Sequence, residues 1–295
     1  MQVSTNGAQR ASHRITAHRI TAHRITAHRI TARRARVLGA IFLALAGLGL
    51  IPSVASASSI KVVVVVGPVE SQTASYIADG KALAALARSY GASVTEIYSP
   101  NATWAKVRAA AQGANLFIYL GHGNGWPSPH IPYSTTTKDG LGLNATAGHG
   151  NANNKYYGAA YLVGSGGFRL ATNAVVILNH LCYSAGNSEP GYPLPSKSVA
   201  EQRIANYGQT FFRIGAKAIF AEARGSAAYI VTGLFKTSKT MQQIFWSSSA
   251  STHTYAFTFT STHAPGLTGI SDPYAPSRYY RSVIGKLGTT AAAWR

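Results

Sequence analysis

Five consecutive valines, Val62 to Val66, constrain this chain more than any other stretch. They sit in the run Ile60–Val66 (IKVVVVV), which ends at Gly67-Pro68. A β-branched run with no polar alternation reads as a strand buried on both faces, and such strands belong to parallel sheets covered by helices on either side. The following residues extend that pattern. Thr73–Tyr90 carries Ile77, Leu83, Leu86 and Tyr90 at helical spacing and stops at Gly91, a residue suited to the position just past a helix. Ala92–Tyr98 alternates as a strand, Thr103–Gln112 reads as a short helix, and Leu116–Leu120 (LFIYL) as a third strand. Ala174–Leu178 (AVVIL) is a fourth and Ala218–Ala221 a fifth. Between them Ser198-x-x-Glu201 forms a capping box for a helix with Ile204, Tyr207, Phe211 and Ile214 on its buried stripe. Strand–helix alternation of this kind predicts an α/β fold, a mostly parallel central sheet flanked by helices in three layers.

Two regions are less regular. The Gly/Asn/Ser-rich stretch Gly121–Gly167 is too long for an ordinary connection and is read as a functional or irregular loop. Beyond a helix near Phe235–Trp246 the pattern weakens. Tyr255–Thr260 reads as one more strand, and residues 251–295 as an extension that completes the domain or is appended to it.

The first 57 residues differ in kind from the main domain at 58–250. Met1–Arg36 holds eight arginines and no acid, and repeats His-Arg-Ile-Thr-Ala four times between His13 and Ala32. A period of five gives no amphipathic face, so this reads as low-complexity sequence and its histidines are not metal candidates. The apolar run Val37–Ile51, then Pro52 and Ala55-Ser56-Ala57, has the parts of a secretory signal cleaved near Ala57. It is shorter than the ~20 residues a membrane span needs. The expected product is secreted or envelope-associated, with no stable transmembrane span. The whole chain carries +19; with the eight N-terminal arginines removed, 19 basic and 8 acidic residues leave +11. That charge favours an anionic cell-envelope surface, but it is dispersed, which argues against nucleic acid as a partner.

Cys182 is the sole cysteine, so a chain expected to be exported has a thiol without an internal partner. Ligands of open α/β sheets bind beyond the carboxyl ends of the strands. The third predicted strand runs into Gly121-His122-Gly123, and the fourth runs through Asn179-His180-Leu181 into Cys182. If the two strands are neighbours, an imidazole and a thiol meet at one rim. A thiol attacks only as thiolate and needs a base, which His122 can supply. Trp126, His180 and Ser184 are candidates for walls of the same cleft. No three residues have metal-ligand spacing, and no cofactor signature is present.

The segments LFIYLGHG and AVVILNHLC resemble the caspase-like (clan CD) cysteine peptidases, in which one apolar strand ends in His-Gly and another in the nucleophilic Cys. Gly208–Ile219 is similar to the helix–Gly-Ala-x-Ala–strand stretch of the gingipain-like and CHAT-like branches, and the similarity spans roughly residues 60–235. The resemblance implies a caspase-like sandwich and an endopeptidase acting on peptide or protein substrates. It makes Cys182 the nucleophile, His122 the general acid/base, and the N–H groups of Gly123 and Cys182 the oxyanion hole. The chain departs from metacaspase-like members at His180, where many carry an acid, and none of Asp139, Glu189 and Glu222 is clearly placed by the sequence to line a specificity pocket. Two other readings stand beside this one: a catalytically inactive caspase-like binding module, and a flavodoxin-like ligand-binding protein in which Cys182 is simply buried.

Overall fold

The computed structural model describes residues 59–130 and 132–295; the arginine-rich repeat and the signal-like segment with its Ala57 site lie outside the described residues. The valine run forms β1 (Lys61–Val66), whose five valines are all fully buried. It lies between two parallel partners, β2 (Ser93–Tyr98) and β3 (Leu116–Leu120), and β3 pairs in turn with parallel β6 (Ala174–Asn179). Next comes parallel β7 (Ala216–Glu222), and then antiparallel β10 (Arg281–Gly285), β9 (Thr268–Ser271) and β8 (Phe257–Thr260). The eight-stranded order is β2-β1-β3-β6-β7-β10-β9-β8.

The two-sided burial of β1 follows from period-two side-chain alternation. Val63 and Val65 face one layer with Phe117, Val176 and Leu178, while Val62, Val64 and Val66 face the other with Ile118, Ile177 and Phe220. The first layer is covered by α2 (Trp104–Ala111), α3 (Ala159–Val163) and α4 (Lys197–Phe212) through Val107, Leu162, Tyr207 and Phe211. The second is covered by α1 (Thr73–Ser89), α5 (Ala228–Lys236), α6 (Met241–Phe245) and α7 (Ala291–Trp294). The chain is therefore a three-layer α/β sandwich with a mostly parallel central sheet. Among the described residues, no helix is long and apolar enough to cross a membrane.

Several local expectations need correction. The stretch Gly121–Gly167 is not one irregular loop. It holds the two-stranded antiparallel sheet of β4 (Leu141–Asn144) and β5 (Asn154–Tyr157) before α3, and Leu141 and Leu143 are fully buried. Helix α4 starts earlier than the capping-box reading gave: the Ser196 side chain accepts the Val199 N–H, and Ser198 is inside the helix. The helix expected at Phe235–Trp246 is two helices, because Thr240 makes its own capping box with Gln243 and starts a new one. The strand expected at Tyr255 begins at Phe257. The aperiodic C-terminal residues form β9, β10 and α7, so this segment continues the main sheet. Their strands are four or five residues long, too short to leave a readable period.

Candidate active site

Three loops at the carboxyl edge of the parallel strands build the site. Strands β3 and β6 are immediate neighbours in register, with Leu120 opposite Asn179. His122 follows the first by two residues and Cys182 the second by three, and both line one cleft of about 720 Å³. The loops touch through glycine. A Cβ on Gly123 would stand 2.1 Å from the Cys182 carbonyl oxygen, and one on Gly125 would stand 2.4 Å from the Tyr183 Cβ. Only residues without side chains let the His122 loop lie directly on the Cys182 loop. Among the described residues, neither the Gly123 N–H nor the Cys182 N–H donates to a protein acceptor.

The His122 backbone is fixed from β3. The Tyr119 hydroxyl, buried in the core, accepts from the Gly142 N–H at 2.9 Å and lies 2.7 Å from the Gly142 oxygen and 3.1 Å from the His122 oxygen. The imidazole is fixed from β1. Glu70, four residues past the valine run, accepts a 2.7 Å hydrogen bond from His122 Nε2. Glu70 has φ 45°, and its carbonyl accepts from the Thr73 hydroxyl at 3.0 Å and the Asn151 amide at 2.8 Å. With Nε2–H donated to Glu70, a neutral His122 carries its basic lone pair on Nδ1. Non-glycine residues at positive φ recur around the cleft at His180 (58°) and Tyr183 (69°), each at the cost of about 1 kcal/mol or more of backbone strain.

Cys182 is half-buried. Its thiol is pushed up to about 12, first by burial and then by the negative charge of Glu189. Glu189 lines the cleft and is bonded to His130 Nε2 at 3.1 Å. At neutral pH the resting sulfur is thus a protonated thiol.

The other sequence candidates fall as follows. His180 lines the cleft, lies 3.4 Å from Asp79, and packs against the Tyr76 ring at 5.0 Å between centroids. Trp126 does not wall this cleft. Its backbone is carried away by the bonds Trp126 N–H to Asp139 and Asn206 to Trp126 O, and its side chain lines a separate cleft with Tyr133 and Phe259. Ser184 is also removed: it is buried, and its hydroxyl donates to the Leu181 carbonyl at 3.0 Å. His149, in a second Gly-His-Gly of the same stretch, precedes a 3-10 turn at Gly150–Asn153 and does not line the cleft. Of the three acids weighed for a pocket, Glu189 faces the cleft, Asp139 holds the Trp126 backbone, and Glu222 is buried against Arg281. Glu70 escaped the sequence reading, although its position past the end of β1 is the same signal that singled out His122 and Cys182. Among the described residues, no group of three His, Cys, Asp or Glu side chains is arranged to hold a metal. No family model matches the chain, and neither a curated protein nor a solved structure matches it.

Proposed function

We propose that this chain is an exported cysteine endopeptidase of the caspase-like type, with Cys182 as nucleophile and His122 as general acid/base. The observation that carries the reading is the meeting of both side chains in one cleft at adjacent strand ends, with the imidazole oriented by Glu70. The chemistry follows from that arrangement. As the Cys182 sulfur attacks the scissile carbonyl, its proton passes to His122 Nδ1. The oxygen becomes an oxyanion facing the free N–H groups of Gly123 and Cys182. His122 then delivers the proton to the departing amine as the C–N bond breaks, leaving a thioester on Cys182. A water, losing its proton to His122, attacks the thioester. The acid product leaves, and the proton returns to sulfur.

The dependence on proton transfer gives a direct test. In the full chain, Cys182 is expected to alkylate with iodoacetamide slowly at pH 7 and to react faster in Glu189→Gln, because one of the two causes of the raised thiol pKa is gone. Covalent trapping by a peptide carrying an electrophilic carbonyl is expected to be lost in His122→Ala while alkylation by iodoacetamide persists. Trapping that survives His122→Ala would remove the general-base role.

Glu70→Gln is expected to lower kcat/KM on a cleaved peptide about 10- to 100-fold with an unchanged thermal midpoint, since partners that orient a working histidine have effects of that order. Wild-type kinetics in this variant would leave the His122–Glu70 bond without a role. A second reading, a catalytically inactive binding module of the same fold, is favoured by the thiol being pushed up to about 12. An absence of trapping and cleavage together with retained peptide binding would establish it. Export and attachment to an anionic envelope rest on the N-terminal signal pattern and the +11 charge of residues 58–295.

A further inference from the structure

The cleft is charged unevenly along the strand edge. Beyond Cys182, on the side away from His122, it is bordered by Arg224 just past β7 and by Arg278 just before β10. Both are exposed, and both lean on Tyr280: the Arg224 guanidinium lies 4.0 Å from the ring centre, and Arg278 Nη1 is 3.3 Å from the hydroxyl. Glu189 lines the same cleft but is paired with His130 at 3.1 Å, and the two acids that precede these arginines on β7 and just past β9 are spent elsewhere. Glu222 and Asp272 are buried and held by Arg281, at 3.1 Å and 2.8 Å. Among the described residues, neither Arg224 nor Arg278 has a carboxylate partner. The Arg278 backbone is fixed by Arg278 N–H to Ala275 O (3.0 Å) and Tyr274 N–H to Arg278 O (3.1 Å). Two braced, unpartnered guanidinium groups in a cleft suit a carboxylate, which they can bind with short charged hydrogen bonds.

The sheet sets the distance. Neighbouring strands lie roughly 4.8 Å apart, so β7 is about 5 Å and β10 about 10 Å from the strand that delivers Cys182. An extended peptide rises about 3.3 Å per residue, so these arginines lie two or three residues from the bond under attack. His122 protonates the leaving amine, so the amine-side product lies toward β3 and the acyl side toward β7 and β10. The geometry points to a subsite formed by Arg224, Arg278 and Tyr280 that binds an Asp or Glu side chain two or three residues N-terminal to the cleaved bond. The assignment of direction rests on the proposed peptidase reading; the anion subsite itself does not.

Two experiments with the full chain separate these. In the first, Cys182→Ala is titrated against fluorescent peptides that differ only in Glu or Gln at two adjacent positions, and anisotropy is read. The Glu peptide is expected to bind about fivefold tighter, the size of two partly exposed ion pairs. The advantage is expected to vanish in Arg224→Ala/Arg278→Ala and to survive in Lys106→Ala/Arg108→Ala, an equal charge change on exposed positions of α2. An advantage that persists without the two arginines, or that falls equally in the α2 variant, overturns the subsite. In the second, the unmodified chain is incubated with a mixed peptide library and products are sequenced by mass spectrometry. Asp and Glu are expected to be enriched two or three residues before the cut, and Lys and Arg to replace them for Arg224→Glu/Arg278→Glu. Cleavage without that enrichment overturns the subsite and leaves the peptidase standing. Arginine-dependent binding with no cleavage overturns the peptidase and leaves the subsite standing.

Discussion

Gly123→Ala is expected to reduce peptide hydrolysis by about 10²- to 10³-fold, the cost of losing one oxyanion donor or misplacing the reacting groups by about an ångström. The added methyl would meet the Cys182 carbonyl oxygen at 2.1 Å and the Leu181 Cγ at 2.9 Å. The first of these is backbone, and Leu181 is fully buried, so neither can move aside alone. The His122 and Cys182 loops must part. On the proposed peptidase reading, parting them would withdraw the Gly123 N–H from the oxyanion and the imidazole from the sulfur together. Stability is expected to fall as well, by about 1–3 kcal/mol, as for other overpacked positions. Gly166→Ala is the fitting control, because nothing lies within 4 Å of a Cβ there. Peptide hydrolysis and denaturant unfolding of the two variants provide the measurement. A Gly123→Ala protein with full activity would show that contact between the loops is not needed for the reaction.

Arg281→Leu is expected to destabilise the fold by about 3–5 kcal/mol, the penalty for leaving buried charge without its partner. Total stabilities are of the order of 5–15 kcal/mol, so much of the native population would be lost near 37 °C. Arg281, from the start of β10, is buried. Its Nε reaches both Glu222 oxygens at 3.1 and 3.2 Å, Nη1 reaches Asp272 at 2.8 Å, and Nη2 reaches the Phe245 carbonyl at 2.9 Å. One side chain thus ties β7, the residue past the end of β9 and α6 together.

A single guanidinium cannot neutralise two buried carboxylates. Burial outweighs the attraction of Arg281 and the Tyr229 hydrogen bond and pushes Glu222 up to about 7. The sign of the pH dependence follows. Between the unfolded carboxyl value near 4.5 and the folded value near 7, the folded state keeps a proton that the unfolded chain has released. This contribution to stability is fully present at the acid end of that window, falls as pH rises through it, and is gone above it. Glu222→Gln is expected to abolish this slope, and combined with Arg281→Leu to recover part of the lost stability. Urea midpoints measured from pH 4.5 to 8 decide it; a slope unchanged in Glu222→Gln would assign the proton to another group.

The parts of the site visible in the sequence were those that depend on local chemistry. His122 and Cys182 stood out because each follows a strongly apolar run, and strand termini in such sheets are where ligands bind. Glu70 sits in the same relation to the valine run, but nothing local distinguishes it from any exposed acid after a turn. Its contact with His122 is visible only once β1 lies beside β3 and the Glu70 carboxylate reaches His122 Nε2. Trp126 and Ser184 failed for the opposite reason. Closeness in sequence to a reactive residue says nothing about direction, and backbone hydrogen bonds turn Trp126 toward another cleft while Ser184 is spent on Leu181. Arg224 and Arg278 are 54 residues apart, and no sequence pattern links them to one tyrosine.

The sequence by itself determined the class of fold. Runs such as Val62–Val66, Leu116–Leu120 and Ala174–Leu178 have no polar face, so each must be covered on both sides, and the helical patterns between them supply the cover. Strand order, and with it the company each reactive side chain keeps, was decided only by the tertiary structure. Hydrophobic burial is non-directional. It requires that these strands be enclosed, but which edges meet depends on close contacts such as Gly123 on Cys182 and on the buried Arg281 cluster, whose partners lie far apart along the chain.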